Sequence, residues 1–87
     1  MLTIEKLSIL MKFNWDDDQF SRGGSTREKQ LLADVDWGQC VSLLQDLILV
    51  TKHLAATEYT IKTHARLLAV CADEQTAQTL LGYASTL

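Results

Sequence analysis

The sequence predicts an all-α domain, a small bundle of four or five short helices, and three observations carry that prediction. Apolar residues recur at three- and four-residue spacing through most of the chain beyond Trp37. Ser, Thr or Asp stands at the head of each such stretch, where a side-chain oxygen answers orphan helix N–H groups. Proline is absent, so no ring ends a helix or fixes a turn. With 87 residues the chain is one domain, because chains split only beyond about 250. Apolar residues make up 47% and charged residues 22%, a globular composition. A chain of this size buries roughly 60–70% of its unfolded surface, so self-association would be a natural way to cover the apolar remainder.

At the N-terminus two patterns compete. Leu7, Ile9, Met11, Phe13 and Trp15 alternate as in a strand. Ile4, Leu7, Leu10 or Met11, and Asn14 also fit a helix opened by Thr3. A lone strand would leave both edges unpaired, which favours the helix. An α+β domain with a strand at 7–15 is the alternative. Residues 15–25, WDDDQFSRGGS, then read as an acidic, Gly-containing loop. Ser25-Thr26-Arg27-Glu28 is a capping box that opens a short helix reaching Asp34.

The clearest element runs from Trp37 to about Ala55. Cys40, Val41, Leu44, Leu47, Ile48 and Val50 keep helical spacing behind Asp36, with Gln39 three residues on. A helix over about 58–71 follows, capped by Thr57, with Ile61, His64, Leu67, Leu68 and Cys71 as its apolar stripe. The last helix, 74–85, is capped by Asp73 and turns Ala77, Leu80, Leu81 and Ala84 inward.

The formal charge is −3, with the acidic excess concentrated in residues 15–36. Such a chain is a poor general magnet for nucleic acid or anionic membrane. No apolar run approaches the roughly 20 residues of a membrane span, and Met1 to Lys6 lacks the features of a signal peptide. The expectation is a cytoplasmic protein with reduced cysteines.

Spacing excludes several chemistries. Cys40 and His53 on one helix would lie roughly 20 Å apart, and His64 and Cys71 roughly 10 Å. One zinc ion cannot gather all four across bonds near 2.0–2.3 Å. A twelve-position count from Asp17 puts Asp17, Gln19, Ser21, Gly23, Ser25 and Glu28 at calcium-ligand places, but Arg22 stands where the sharp turn needs Gly. No metal or cofactor is expected. No nucleophile elbow, Walker loop or dinucleotide fingerprint is present, so no catalytic residue is assigned and no enzyme is expected. Folding the two central helices back about residue 56 would bring Cys40 beside Cys71, most simply as two small buried side chains.

Two binding signals remain. Trp15, Asp16, Asp17, Asp18, Phe20 and Trp37 place aromatics beside carboxylates, the look of an apolar interface anchor with a charged rim. They favour a small non-enzymatic regulatory or binding protein that works by protein–protein contact, with a protein partner or a second copy. The alternative lies in Leu54-Ala55-Ala56-Thr57-Glu58-Tyr59-Thr60-Ile61-Lys62-Thr63-His64. This stretch resembles the turn and recognition helix of LuxR-type (GerE-like) helix-turn-helix domains, whose pattern is close to Leu-x-Ile-Ser-Glu-x-Thr-Val-Lys-x-His. The resemblance implies that Thr57 and Glu58 open a recognition helix, that Thr60, Lys62 and His64 face DNA, and that Ile61 anchors the helix in the core. Lys52 and Arg66 would add phosphate contacts.

Overall fold

Five helices of this chain start where a short polar side chain closes the first turn. Thr3 accepts from the Lys6 amide at 3.2 Å and opens α1, Ile4–Lys12. Asp16 accepts from Asp18 and Gln19 and opens α2, Asp17–Gly23. Ser25 and Glu28 exchange both bonds of the capping box ahead of α3, Thr26–Leu31. Asp36 accepts from Gln39 at 3.0 Å and opens α4, Trp37–Lys52. α5, Thr57–Val70, follows, and Asp73 caps α6, Glu74–Ser85, through the Thr76 amide at 2.7 Å.

These elements come from a computed structural model that describes residues 1–53 and 57–87, the side chains of 57–59 excepted. The domain is all-α, with six α-helices among the described residues. The N-terminal segment is helix rather than strand. Its one extended contact is a single parallel bridge in which the Leu2 amide donates to the Val70 carbonyl and the Ala72 amide to the Leu2 carbonyl. The sixth helix is α2, formed where the sequence suggested a loop over 15–25. Asp16 as cap, with Asp17 and Asp18 in the first turn, sets three carboxylates against the positive end of the helix dipole. That helix takes up seven of the twelve counted calcium-loop positions, so those oxygens do not ring a loop. The long helix expected to reach Ala55 ends at Lys52 with His53 as cap, and Leu54 to Ala56 lie outside the described residues.

α4 is the spine of the bundle. Cys40, Leu43, Leu44 and Leu47 form its buried face, which packs mainly against α6 and also against α5. α6 answers with Ala77, Leu80 and Ala84, and α1 adds Leu7 and Leu10 on its other side. Leu10, Leu43 and Leu80 are wholly buried, each worth about 2–3 kcal/mol of transfer free energy. α3 buries none of its own residues. It is strapped to α1 by Arg27–Glu5 and Lys12–Glu28 ion pairs, and Leu32 just beyond it enters the core. Among the described residues no helix is long and apolar enough to cross a membrane.

Candidate functional site

The acidic and aromatic segment is built differently from an exposed anchor. Asn14 and Trp15 both take left-handed backbone angles, φ 53° and 61°, and reverse the chain after α1. That turn sends the Trp15 indole inward, where it is 8% exposed and its Nε1 has no hydrogen-bond partner among the described residues. Phe20, on the inner side of α2, is buried between the Phe13 ring at 5.4 Å and the Trp37 ring at 5.2 Å. Trp37 itself is half-buried. The fold thus brings Phe20 and Trp37 together, as a clasp that fastens α2 to the start of α4. Burial of Trp15 and Phe20 corrects their expected place on the surface: each gains more by leaving water than it could as a flank of the carboxylates. Asp16, Asp17 and Asp18 do stay exposed, with Asp16 committed to its cap.

α5 carries most of the residues expected of a recognition helix. Thr60, Lys62 and His64 are exposed, and so is Lys52 at the end of α4. Residues two apart on a helix point to different sides, so Lys62 does not share a face with Thr60 and His64. Arg66 is half-buried, ion-paired to Asp46 with its second guanidinium nitrogen 3.3 Å from the Ser42 hydroxyl. The Thr57 and Glu58 side chains, like Leu54 to Ala56, lie outside what is described.

The phase of α5 differs from the stripe read in the sequence. Among its described side chains Thr63 and Leu67 are the buried ones, each 3% exposed, and Cys71 just past its end is buried too. Ile61, His64 and Leu68 face solvent instead. Ile61 is 65% exposed and Leu68 47%, so Ile61 is no core anchor. With exposed Ala65 between them they form an outward apolar row at i, i+4, i+7. The sequence held part of this signal, since Ile61 and Leu67 lie about 120° apart around one helix, so a buried face centred on Leu67 leaves Ile61 beyond its edge. Two apolar rows on a single helix leave one of them without a place inside.

The cysteines are placed at the other end of α4 and α5. Burial pushes the Cys40 thiol up to about 11, with the charges of Asp36 and Cys71 adding to the effect. Burial, then Asp73, raises the Cys71 thiol as well. Protonated thiols in an apolar setting are poor nucleophiles and poor ligands. Among the described residues no three of His, Cys, Asp and Glu gather as a metal site.

No family model, curated protein or solved structure matches the chain.

Proposed function

We propose that this chain is a small non-enzymatic cytoplasmic protein that acts through protein–protein contact, and that the outer row of α5 is its contact face. One observation carries the reading: Ile61 and Leu68, 65% and 47% exposed, flank Ala65 on the side of α5 that faces away from the bundle. Apolar side chains scattered singly on a surface need no explanation, but a row at helical spacing is what a partner helix or groove covers. The alanine between the two larger residues lets a partner approach closely. The exposed carboxylates of Asp17 and Asp18, on a separate part of the molecule, would act on approach and specificity rather than as anchors.

A photo-reactive amino acid placed at Ala65 tests this. We expect a discrete crosslinked product, to a partner or to a second copy, that Ile61→Glu together with Leu68→Glu abolishes while helicity and melting midpoint are retained. Absence of any product, or a product indifferent to those changes, overturns the reading.

A second reading is kept by one feature: α5 begins at Thr57, where the resemblance to LuxR-type domains puts the head of the recognition helix. Duplex DNA binding would then rest on Lys52, Lys62 and the exposed Thr60 and His64. It would weaken steeply with salt and on Lys62→Ala. The solvent-facing Ile61 and the Arg66–Asp46 pair make it the less favoured of the two.

A further inference from the structure

The segment between α1 and α3 is fastened to the bundle by very little. Helix packs on helix mainly among α1, α4, α5 and α6. Within α2 only Phe20 is buried, and every other residue stands in solvent. Among the described residues no side chain of α2 makes an ion pair. An exposed bond from Lys29 Nζ to the Ser21 carbonyl, 3.0 Å long, links it to the next helix. Phe20 therefore holds α2 in place, through the rings of Phe13 and Trp37. Both flanks are anchored without it, Phe13 by burial and α3 by its ion pairs to α1.

The entrance to the segment is strained. Trp15 holds φ 61°, a left-handed angle at which a bulky side chain is an outlier, next to Asn14 at 53°. Its Nε1 is also the one buried side-chain nitrogen or oxygen without a hydrogen-bond partner among the described residues. A buried N–H left unpaired gives up a bond that water would supply. Strain and an orphan donor at one residue both favour a state in which Trp15 has left its place, whereas burial of its indole and of Phe20 favours the closed one. At the exit stand Gly23 and Gly24, where no side chain restricts the backbone.

We propose that residues 14–24 form a strap with two states, hinged at Asn14–Trp15 and at Gly23–Gly24. Closed, it stores the Trp15 and Phe20 rings inside. Open, it withdraws Phe20 from between Phe13 and Trp37, returns Asn14 and Trp15 to ordinary backbone angles and gives the indole N–H to water. Both aromatics then stand in solvent beside Asp16, Asp17 and Asp18, while α1 and α3 to α6 keep their places. The aromatic and acidic signal of this segment thus belongs to a surface that the closed state keeps covered. The strap is separate from the outer row of α5, so its failure would leave the protein-contact reading untouched.

The experiment is native-state hydrogen exchange of the full chain, followed by nuclear magnetic resonance with and without low urea. In the closed state the Phe20 amide donates to the Asp16 carbonyl at 3.1 Å and the Gly24 amide to the Phe20 carbonyl at 2.7 Å. We expect these two amides and the Trp15 indole N–H to be protected at least about tenfold less than the Leu43 and Leu80 amides of the bundle. Urea should barely change exchange in the strap, because its opening exposes little surface, but should speed it markedly at Leu43 and Leu80. Phe20→Ala should leave the strap sites within about tenfold of unprotected exchange, while helicity and slow exchange at Leu43 and Leu80 persist. Asn14→Ala, at an exposed position, loses asparagine's tolerance of the left-handed angle and should speed strap exchange about three- to tenfold. Equal protection in strap and bundle, an equally steep urea dependence, loss of the whole fold in Phe20→Ala, or strap exchange unchanged in Asn14→Ala overturns the proposal.

Discussion

Cys40 shows how much one side chain's surroundings decide. It stands on the buried face of α4 with the carboxylate of Asp36 and the thiol of Cys71 close enough to raise its pKa to about 11, though burial is the larger cause. A thiol held protonated in the native state gives up stability when the unfolded chain can ionise and the folded one cannot. Stability from this source is therefore whole below the unfolded value near 9 and is lost as pH climbs through 9 to 11. The loss should be on the order of 2 kcal/mol. Urea midpoints measured from pH 7 to 11 should fall for the native chain, and Cys40→Ala should flatten the fall above pH 9. An unchanged slope in that variant would mean that other groups control it. At the same scale lie the residues least legible in the sequence. Nothing in the periodicity of residues 4–15 announces that Asn14 and Trp15 will both adopt left-handed backbone. Asn accepts that conformation readily, but an aromatic at φ 61° holds it against about 1–2 kcal/mol, which burial of the indole offsets. Trp15 looked exposed because its neighbours in sequence are carboxylates, but the turn in which it stands sends its indole inward while they stay in solvent.

The helices were the most legible elements, because caps and apolar spacing are local properties. Asp36, Ser25 and Asp73 open α4, α3 and α6 as their sequences suggest. α2 escaped notice although its cap is equally plain, since three aspartates and a glycine pair also describe a wet loop. Two of the four glycines separate local propensity from packing. Gly82 lies inside α6, and a methyl group there would meet nothing within 4 Å. Gly82→Ala should stabilise the chain by about 0.5–1 kcal/mol, the entropy that glycine loses in a helix. Gly24, the cap that ends α2, is the opposite case. An added methyl would come within 2.7 Å of the Phe20 carbonyl oxygen and 2.8 Å of the Phe20 ring. Gly24→Ala should destabilise by about 1–3 kcal/mol, the range for forced overpacking, and loosen Phe20 from Trp37. Thermal midpoints measure both, and near-ultraviolet circular dichroism reads the aromatic clasp. A Gly24→Ala chain as stable as the parent would show that α2 is not fastened by Phe20. α5 was legible as a helix but not in its phase, because a helix with apolar residues on two sides offers two faces to one core.

At the scale of the molecule, 87 residues leave little reserve: about 0.05–0.15 kcal/mol per residue makes a total on the order of 4–13 kcal/mol. The ion pairs that strap α3 to α1 are exposed and add little, because such pairs contribute about 0–1 kcal/mol each. The fold is held by where distant segments meet, and the chain's second residue is one such place. Leu2 is 2% exposed, and its main chain bonds to Val70 at 2.9 Å and Ala72 at 2.7 Å, tying the start of the sequence to the link between α5 and α6. No local pattern forecasts that contact, since its partners are nearly seventy residues away. It joins the face of the bundle that holds α1 to the helix that carries the proposed contact row. Leu2→Ala should remove about 2–5 kcal/mol through lost transfer and the cavity left behind, yet keep the main-chain bridge and so the fold. Ile4→Ala, two residues on at a position 37% exposed, should change stability by less than about 1 kcal/mol. Urea unfolding followed both by circular dichroism and by tryptophan fluorescence distinguishes the outcomes. A single transition shifted far more by Leu2→Ala than by Ile4→Ala means that residue 2 belongs to the cooperative core. Equal small shifts, or a fluorescence change that separates from the loss of helix, would mean that the N-terminal tether melts on its own and that α4, α5 and α6 stand without it.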